Sequence, residues 1–211
     1  KRQARAHAIE MLRAVRIPDP EERIKQYPHE YSGGMRQRVM IAIGLLCAPE
    51  LLIADEPSTA LDVTVQAQIT ELVSELRKET NMSLVLITHD LSAVAEIADR
   101  IIVMYAGEAV ETGTVDEIFY SPQHPYTRGL IASVPRLDRV SDDELQAIPG
   151  NPPNLLALPA GCSFRDRCSE ATEQCAERPP LWRADSGRTS RCIQGIEGGE
   201  VISESDGETG E

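Results

Sequence analysis

Two short runs without a polar side chain constrain this chain more than anything else in it. Leu51-Leu52-Ile53-Ala54 closes on Asp55-Glu56, and Leu84-Val85-Leu86-Ile87 closes on Thr88-His89. Uninterrupted apolar runs of this length suit strands covered on both faces of a parallel sheet. A parallel pair needs a crossover, and residues 63–78 supply one, with Ile69, Leu72, Val73 and Leu76 at helical spacing. Strand, helix, strand and a further helix over residues 91–98 predict an α/β fold with helices on the faces of the sheet.

Around this centre the chain divides by texture. Residues 1–16 read as an amphipathic helix ended by Pro18 and Pro20, and Ser32 stands where a helix N-cap belongs, before a helix over residues 35–47. Cys47 reads as a small buried apolar residue of that helix. Residues 101–105 and 108–111 read as paired strands around a turn at Gly107. Seven prolines between Pro122 and Pro159 predict an extended connector, four cysteines follow between Cys162 and Cys192, and residues 196–211 form an acidic tail expected to be disordered. The expected divisions are 1–48, 49–120, 121–160, 161–195 and 196–211. The net charge of −13 argues against a nucleic-acid surface. The chain opens at Lys1 without a methionine, inside a predicted helix, and so reads as a C-terminal portion.

The chemistry lies at the strand ends. Ligands of open parallel sheets bind outside the carboxyl ends of the strands. There, Asp55 suits a Mg²⁺ ion held through water, and Glu56 suits a general base acting on an attacking water. Ser32-Gly33-Gly34 opens a helix whose free amides and positive end form an anion site.

These residues resemble one family. Tyr31 to Gln37, Asp55-Glu56-Pro57, Ser58-Thr59-Ala60-Leu61-Asp62 and His89 are similar to the ATP-binding-cassette (ABC) ATPases, over residues 28 to about 112. The resemblance implies the C-terminal part of a P-loop NTPase (RecA-like) cassette, with part of its helical subdomain in residues 1–48. It makes Ser32, Gly33, Gly34 and Gln37 the signature motif and Asp55-Glu56 the end of the Walker B strand. Residues 58–62, ending in Asp62, become the D-loop, and His89 the switch histidine. It implies ATP and Mg²⁺, with Glu56 and His89 catalytic. The family's Gly-rich phosphate loop and its glutamine-containing loop are absent, since Gly33 and Gly34 are the only glycines before residue 44. The chain by itself is therefore expected to bind nucleotide feebly and not to turn it over.

The run from His124 to Pro135, with Ile148-Pro149-Gly150, Gly161-Cys162 and Phe164 to Cys168, resembles the C-terminal extension of oligopeptide and dipeptide importer ATPases. Cys162, Cys168, Cys175 and Cys192 give C-x5-C-x6-C-x16-C. Four thiolates suffice for zinc or for an iron–sulfur cluster, and the spacing leans away from the tight pairs of structural zinc sites. Disulfides or free thiols stay open. The resemblance favours a [4Fe-4S] cluster, with Zn²⁺ as its alternative.

It further implies a second cassette as partner, identical or paralogous, and membrane permease subunits. An extracellular substrate-binding protein acts indirectly, nucleic acid has no part, and the subunit sits on the cytoplasmic face of the cell membrane. Importers of nickel or oligosaccharides, and a metal-binding scaffold module with an inactive cassette remnant, are the alternatives.

Overall fold

A computed structural model describes residues 1–57, 61–134 and 147–202. Ser58, Thr59 and Ala60 of the expected D-loop, Pro135 and most of the acidic tail lie outside the described residues. The chain forms two compact units, one of residues 1–97 and one from Ala98 onward.

In the first unit, α1 (Arg2–Ala14) packs on α3 (Gly33–Leu45). The short α2 (Pro20–Arg23) and a 3₁₀ turn (Pro28–Glu30) join them. β1 (Leu51–Asp55) runs parallel to β2 (Ser83–Ile87), in register from Leu51 opposite Ser83 to Asp55 opposite Ile87. The crossover between them is α4 (Val63–Thr80), capped by Asp62, whose carboxylate accepts from the Val65 amide at 2.9 Å. It stops at Asn81, which holds a left-handed φ of 53°. Ile69, Leu72, Val73 and Leu76 bury the inner face of α4 against Leu12, Val15, Ile41 and Leu45 from the other helices. α5 (Leu91–Ile97) closes the unit, its last carbonyl accepting from Arg77 at 2.8 Å.

Two expectations need correction. Leu51, Ile53, Val85 and Ile87 stand 45–62% exposed on one face of the β1–β2 pair, so these strands are covered on one side only. Cys47 is exposed, because α3 ends at Leu45 and the chain turns away before it.

The second unit is built on a five-stranded sheet. β3 (Arg100–Tyr105) and β4 (Glu108–Thr114) form a hairpin whose two turn residues, Ala106 and Gly107, both hold positive φ, as a two-residue primed turn demands. β5 (Leu181–Arg183), β6 (Thr189–Arg191) and β7 (Glu200–Ile202) extend the sheet in the order β3-β4-β6-β5-β7. α6 (Val115–Tyr120) starts from a capping box of Thr114 and Glu117. α7 (Pro125–Ala132) lies inside the stretch expected to be an extended connector. Its proline sits at the first helical position, where a missing amide donor costs nothing.

One polar cluster knots β4, β6 and the start of α7 together. Glu111 is fully buried and receives Arg188 at 2.6 Å, the Gln123 amide at 2.8 Å and the His124 amide at 2.9 Å. Arg188 also donates to the carbonyls of Ser121 and Glu117. His124 caps α7 through Nδ1, which accepts from the Tyr126 amide at 3.1 Å. Burial holds its pKa down to about 4, against the pull of Glu111, so the ring is neutral at pH 7. Tyr105, Tyr126 and Phe164 stack beside it with centroids 4.6–5.4 Å apart.

Candidate ATPase site and cysteine cavity

Asp55 is the last residue of β1, and Glu56 follows it out of the sheet. The Glu56 amide donates to the Ile87 carbonyl of β2 at 2.8 Å, and its φ of 44° lies in the left-handed region that non-glycine residues avoid. Such conformations persist where surrounding contacts hold them and concentrate at functional sites. Here the turn brings the Glu56 carboxylate to His89, with Oε1 3.2 Å from Nδ1. Both side chains remain open to solvent, His89 at 79% and Glu56 at 47%, so a ligand can reach them. The strand ends therefore bring Glu56 to His89, and Asp55 stands one residue before Glu56 at the end of β1.

Ser32, Gly33 and Gly34 occupy the N-terminus of α3. Ser32 is its N-cap, with Oγ accepting from the Met35 amide at 3.3 Å. That use of the oxygen leaves the hydroxyl proton available to a phosphate. Gly33 and Gly34 differ in what they permit. A Cβ on Gly34 would stand 2.7 Å from Val65 Cγ1, so only glycine lets α3 approach the first turn of α4. One on Gly33 would meet Leu61 Cδ2 at an ordinary 3.5 Å, which leaves Gly33 free of any packing requirement. Gln37 is half-buried one turn further along α3, and Asp62 is exposed with its carboxylate turned to capping α4.

One polar contact beside the site was not foreseen. Gln66 Nε2 donates to Asp90 Oδ2 at 2.7 Å, while Asp90 Oδ1 caps α5 by accepting from the Ser92 amide at 2.9 Å. An aspartate just ahead of an apolar helix was a readable N-cap. The glutamine that holds it gave no local signal.

In the second unit Cys162, Cys168, Cys175 and Cys192 all line one cavity, together with His124, Phe164, Arg165 and Glu170. Gly161 sets the approach: with φ at 80°, its missing Cβ would fall 2.4 Å from the Cys175 carbonyl oxygen, and the Cys162 amide donates to that same carbonyl at 3.0 Å. All five cysteines are free thiols. Burial pushes the Cys162, Cys168 and Cys192 thiols up, and the neighbouring thiols add to the rise. Among the described residues no group of three or more His, Cys, Asp or Glu is arranged to hold a metal ion.

Comparison with known proteins finds matches in both units. A family model described as "ABC transporter" matches residues 1–59, and one described as "Oligopeptide/dipeptide transporter, C-terminal region" matches residues 110–175. The oligopeptide transport ATP-binding protein OppD of Haemophilus influenzae is 56% identical over 192 residues, covering 91% of this chain. The chain belongs to the ABC transporter family of ATP-binding proteins. Within that family, the Escherichia coli OppD is 54% identical over 93% of the chain, and the dipeptide transport ATP-binding protein DppD of Bacillus subtilis is 57% identical over 83%. The chain spans 59% and 58% of the length of the two OppD relatives. A solved ABC transporter of metal-chelate type, captured facing inward, superposes with a TM-score of 0.50 at 27% identity, over 55% of this chain and 45% of that one. The α/β arrangement is thus that of an ABC cassette. Among the described residues no helix is long and apolar enough to cross a membrane.

Proposed function

We propose that this chain is the later part of the ATP-hydrolysing subunit of a peptide importer. The supporting observation is the 3.2 Å approach of Glu56 to His89 at the carboxyl ends of two parallel strands, in a chain 56% identical to an oligopeptide transport ATP-binding protein. Residues 1–48 contribute to a helical subdomain and 49–120 to the ATPase core.

In this reading Asp55 would hold Mg²⁺ through water, and the ion would supply positive charge beside the nucleotide phosphates. Glu56 accepts the proton of the attacking water. His89, within reach of the same carboxylate, orients that water toward the γ-phosphate. Ser32, Gly33 and Gly34 offer a hydroxyl, two amides and a helix end to the γ-phosphate bound by a second cassette. Such a site is complete only when two cassettes close. The subunit works on the cytoplasmic face of the membrane, where it drives permease subunits supplied with peptide by an external binding protein.

We place a cofactor in the cavity that the four cysteines line. The four cysteines line one space, and burial with crowding raises the pKa of Cys162, Cys168 and Cys192, a rise that a bound cation would reverse by holding the thiolate forms. Cys162, Cys168, Cys175 and Cys192 would hold a [4Fe-4S] cluster, which would clasp the turns that carry them. Arg165, which also lines the cavity and pairs with Asp166 at 3.2 Å, would offset part of the thiolate charge.

Two assays test these readings. In the full-length protein with its partner, Glu56→Gln lowers ATP turnover by about 10²-fold or more; wild-type turnover in that variant refutes the catalytic assignment. Protein prepared without oxygen contains iron and acid-labile sulfide in matching amounts, and Cys168→Ser loses both. Zinc without sulfide makes the centre a zinc clasp, and the absence of all three refutes a metal centre.

A further inference from the structure

The loop that carries His89 is fixed at more points than a connection needs. The Asp90 amide donates to Thr88 Oγ1 at 3.0 Å, and Asp90 Oδ1 accepts from the amides of Ser92 and Ala93 at the start of α5. These bonds satisfy the backbone of the turn and one carboxylate oxygen. The second oxygen, Oδ2, receives Gln66 Nε2 from α4 at 2.7 Å, in a half-buried contact to a charged acceptor.

Gln66 lies in the first turn of α4, its own amide bonded to the Asp62 carbonyl at 2.9 Å. The preceding residue, Val65, fills the space left by the missing side chain of Gly34. One helical turn therefore touches three things: the start of the signature helix through Val65, the Asp62 cap, and the loop of His89 through Gln66.

We infer that Gln66 is a positioning residue for His89, tying the switch loop to the same turn of α4 on which the signature helix rests. This rests on the ATPase reading above, since His89 matters only if the strand ends hydrolyse ATP. Displacement of α3 by a partner's nucleotide presses on Val65, and the Gln66–Asp90 bond passes that displacement to the residue beside His89. Gln66 touches no reacting atom. It acts through Asp90.

The test uses the full-length ATPase assembled with its partner cassette. Gln66→Met keeps length and apolar bulk but removes the donor, and is expected to lower kcat about tenfold with little change in KM. Gln66→Lys restores a donor of similar reach and recovers most of the rate. Asp90→Ser retains a helix cap but cannot reach Gln66; it lowers kcat to a similar extent, and combining it with Gln66→Met adds no further loss. A wild-type kcat in Gln66→Met, an equal loss in Gln66→Lys, or multiplying losses in the double variant each overturns the inference. Glu56→Gln in the same preparation separates the failures. If it is dead while Gln66→Met is normal, only the role of Gln66 falls; if it turns over normally, the site reading falls with it.

Discussion

Gly34 and Gly33 are neighbours in sequence and unequal in consequence. Gly34→Ala forces a methyl to 2.7 Å from Val65 Cγ1 and is expected to destabilise the first unit by about 1–3 kcal/mol in urea unfolding. Val65→Ala in the same chain relieves the clash, while Gly33→Ala, with ordinary clearance, loses well under half as much. His124 makes a second prediction at this scale. Its folded pKa of about 4 lies below the 6.5 of the unfolded chain, so the unfolded state takes up the proton first as pH falls. The stability that neutral His124 contributes is complete above pH 6.5 and is lost between 6.5 and 4, on the order of 3 kcal/mol. Unfolding followed against pH checks this, and His124→Asn, which retains a capping oxygen, flattens the curve across that window. The candidate site residues were legible because chemistry and position coincide: Asp55 follows one apolar run directly, and Glu56 and His89 each stand one residue further beyond a run. The left-handed turn at Glu56 was not legible, since it is imposed by a bond to Ile87, a residue 31 positions away.

At the scale of elements, the parallel pair, its crossover helix and the β3–β4 hairpin followed from periodicity and turn chemistry. The helix α7 did not, because proline density outweighed the one position at which a proline begins a helix. Nor did the sheet formed by β5, β6 and β7, whose three-residue strands are too short to show a period. What holds them to β4 is Glu111 with Arg188, a pair 0% and 7% exposed that lies 77 residues apart in the chain. Removing one partner of a buried pair leaves an uncompensated charge, so Arg188→Leu is expected to cost about 3–5 kcal/mol in the second unit. Arg178→Leu breaks a 2.7 Å pair with Glu108 in which the arginine is 59% exposed, and costs less than about 1 kcal/mol. Chemical denaturation of the two variants side by side measures the contrast.

For the whole molecule, the two units carry separate candidate chemistry: carboxylates, imidazole and the N-terminus of α3 in the first, four cysteines around one cavity in the second. Leu51, Ile53, Val85 and Ile87 leave one sheet face apolar and open, as fits a chain that spans 58–59% of its OppD relatives. The sequence runs were right that these strands belong to a parallel sheet, and misled only on cover, which depends on neighbours a strand's own residues do not encode. In the proposed mechanism Glu56 removes a proton from water without being needed to bind nucleotide. The most direct measurement is the fate of ATP held by the full-length Glu56→Gln variant with Mg²⁺ and its partner cassette, isolated by gel filtration and analysed for nucleotide. Intact ATP retained in the closed assembly is the predicted result; ADP formed at the wild-type rate would show that Glu56 is not the general base.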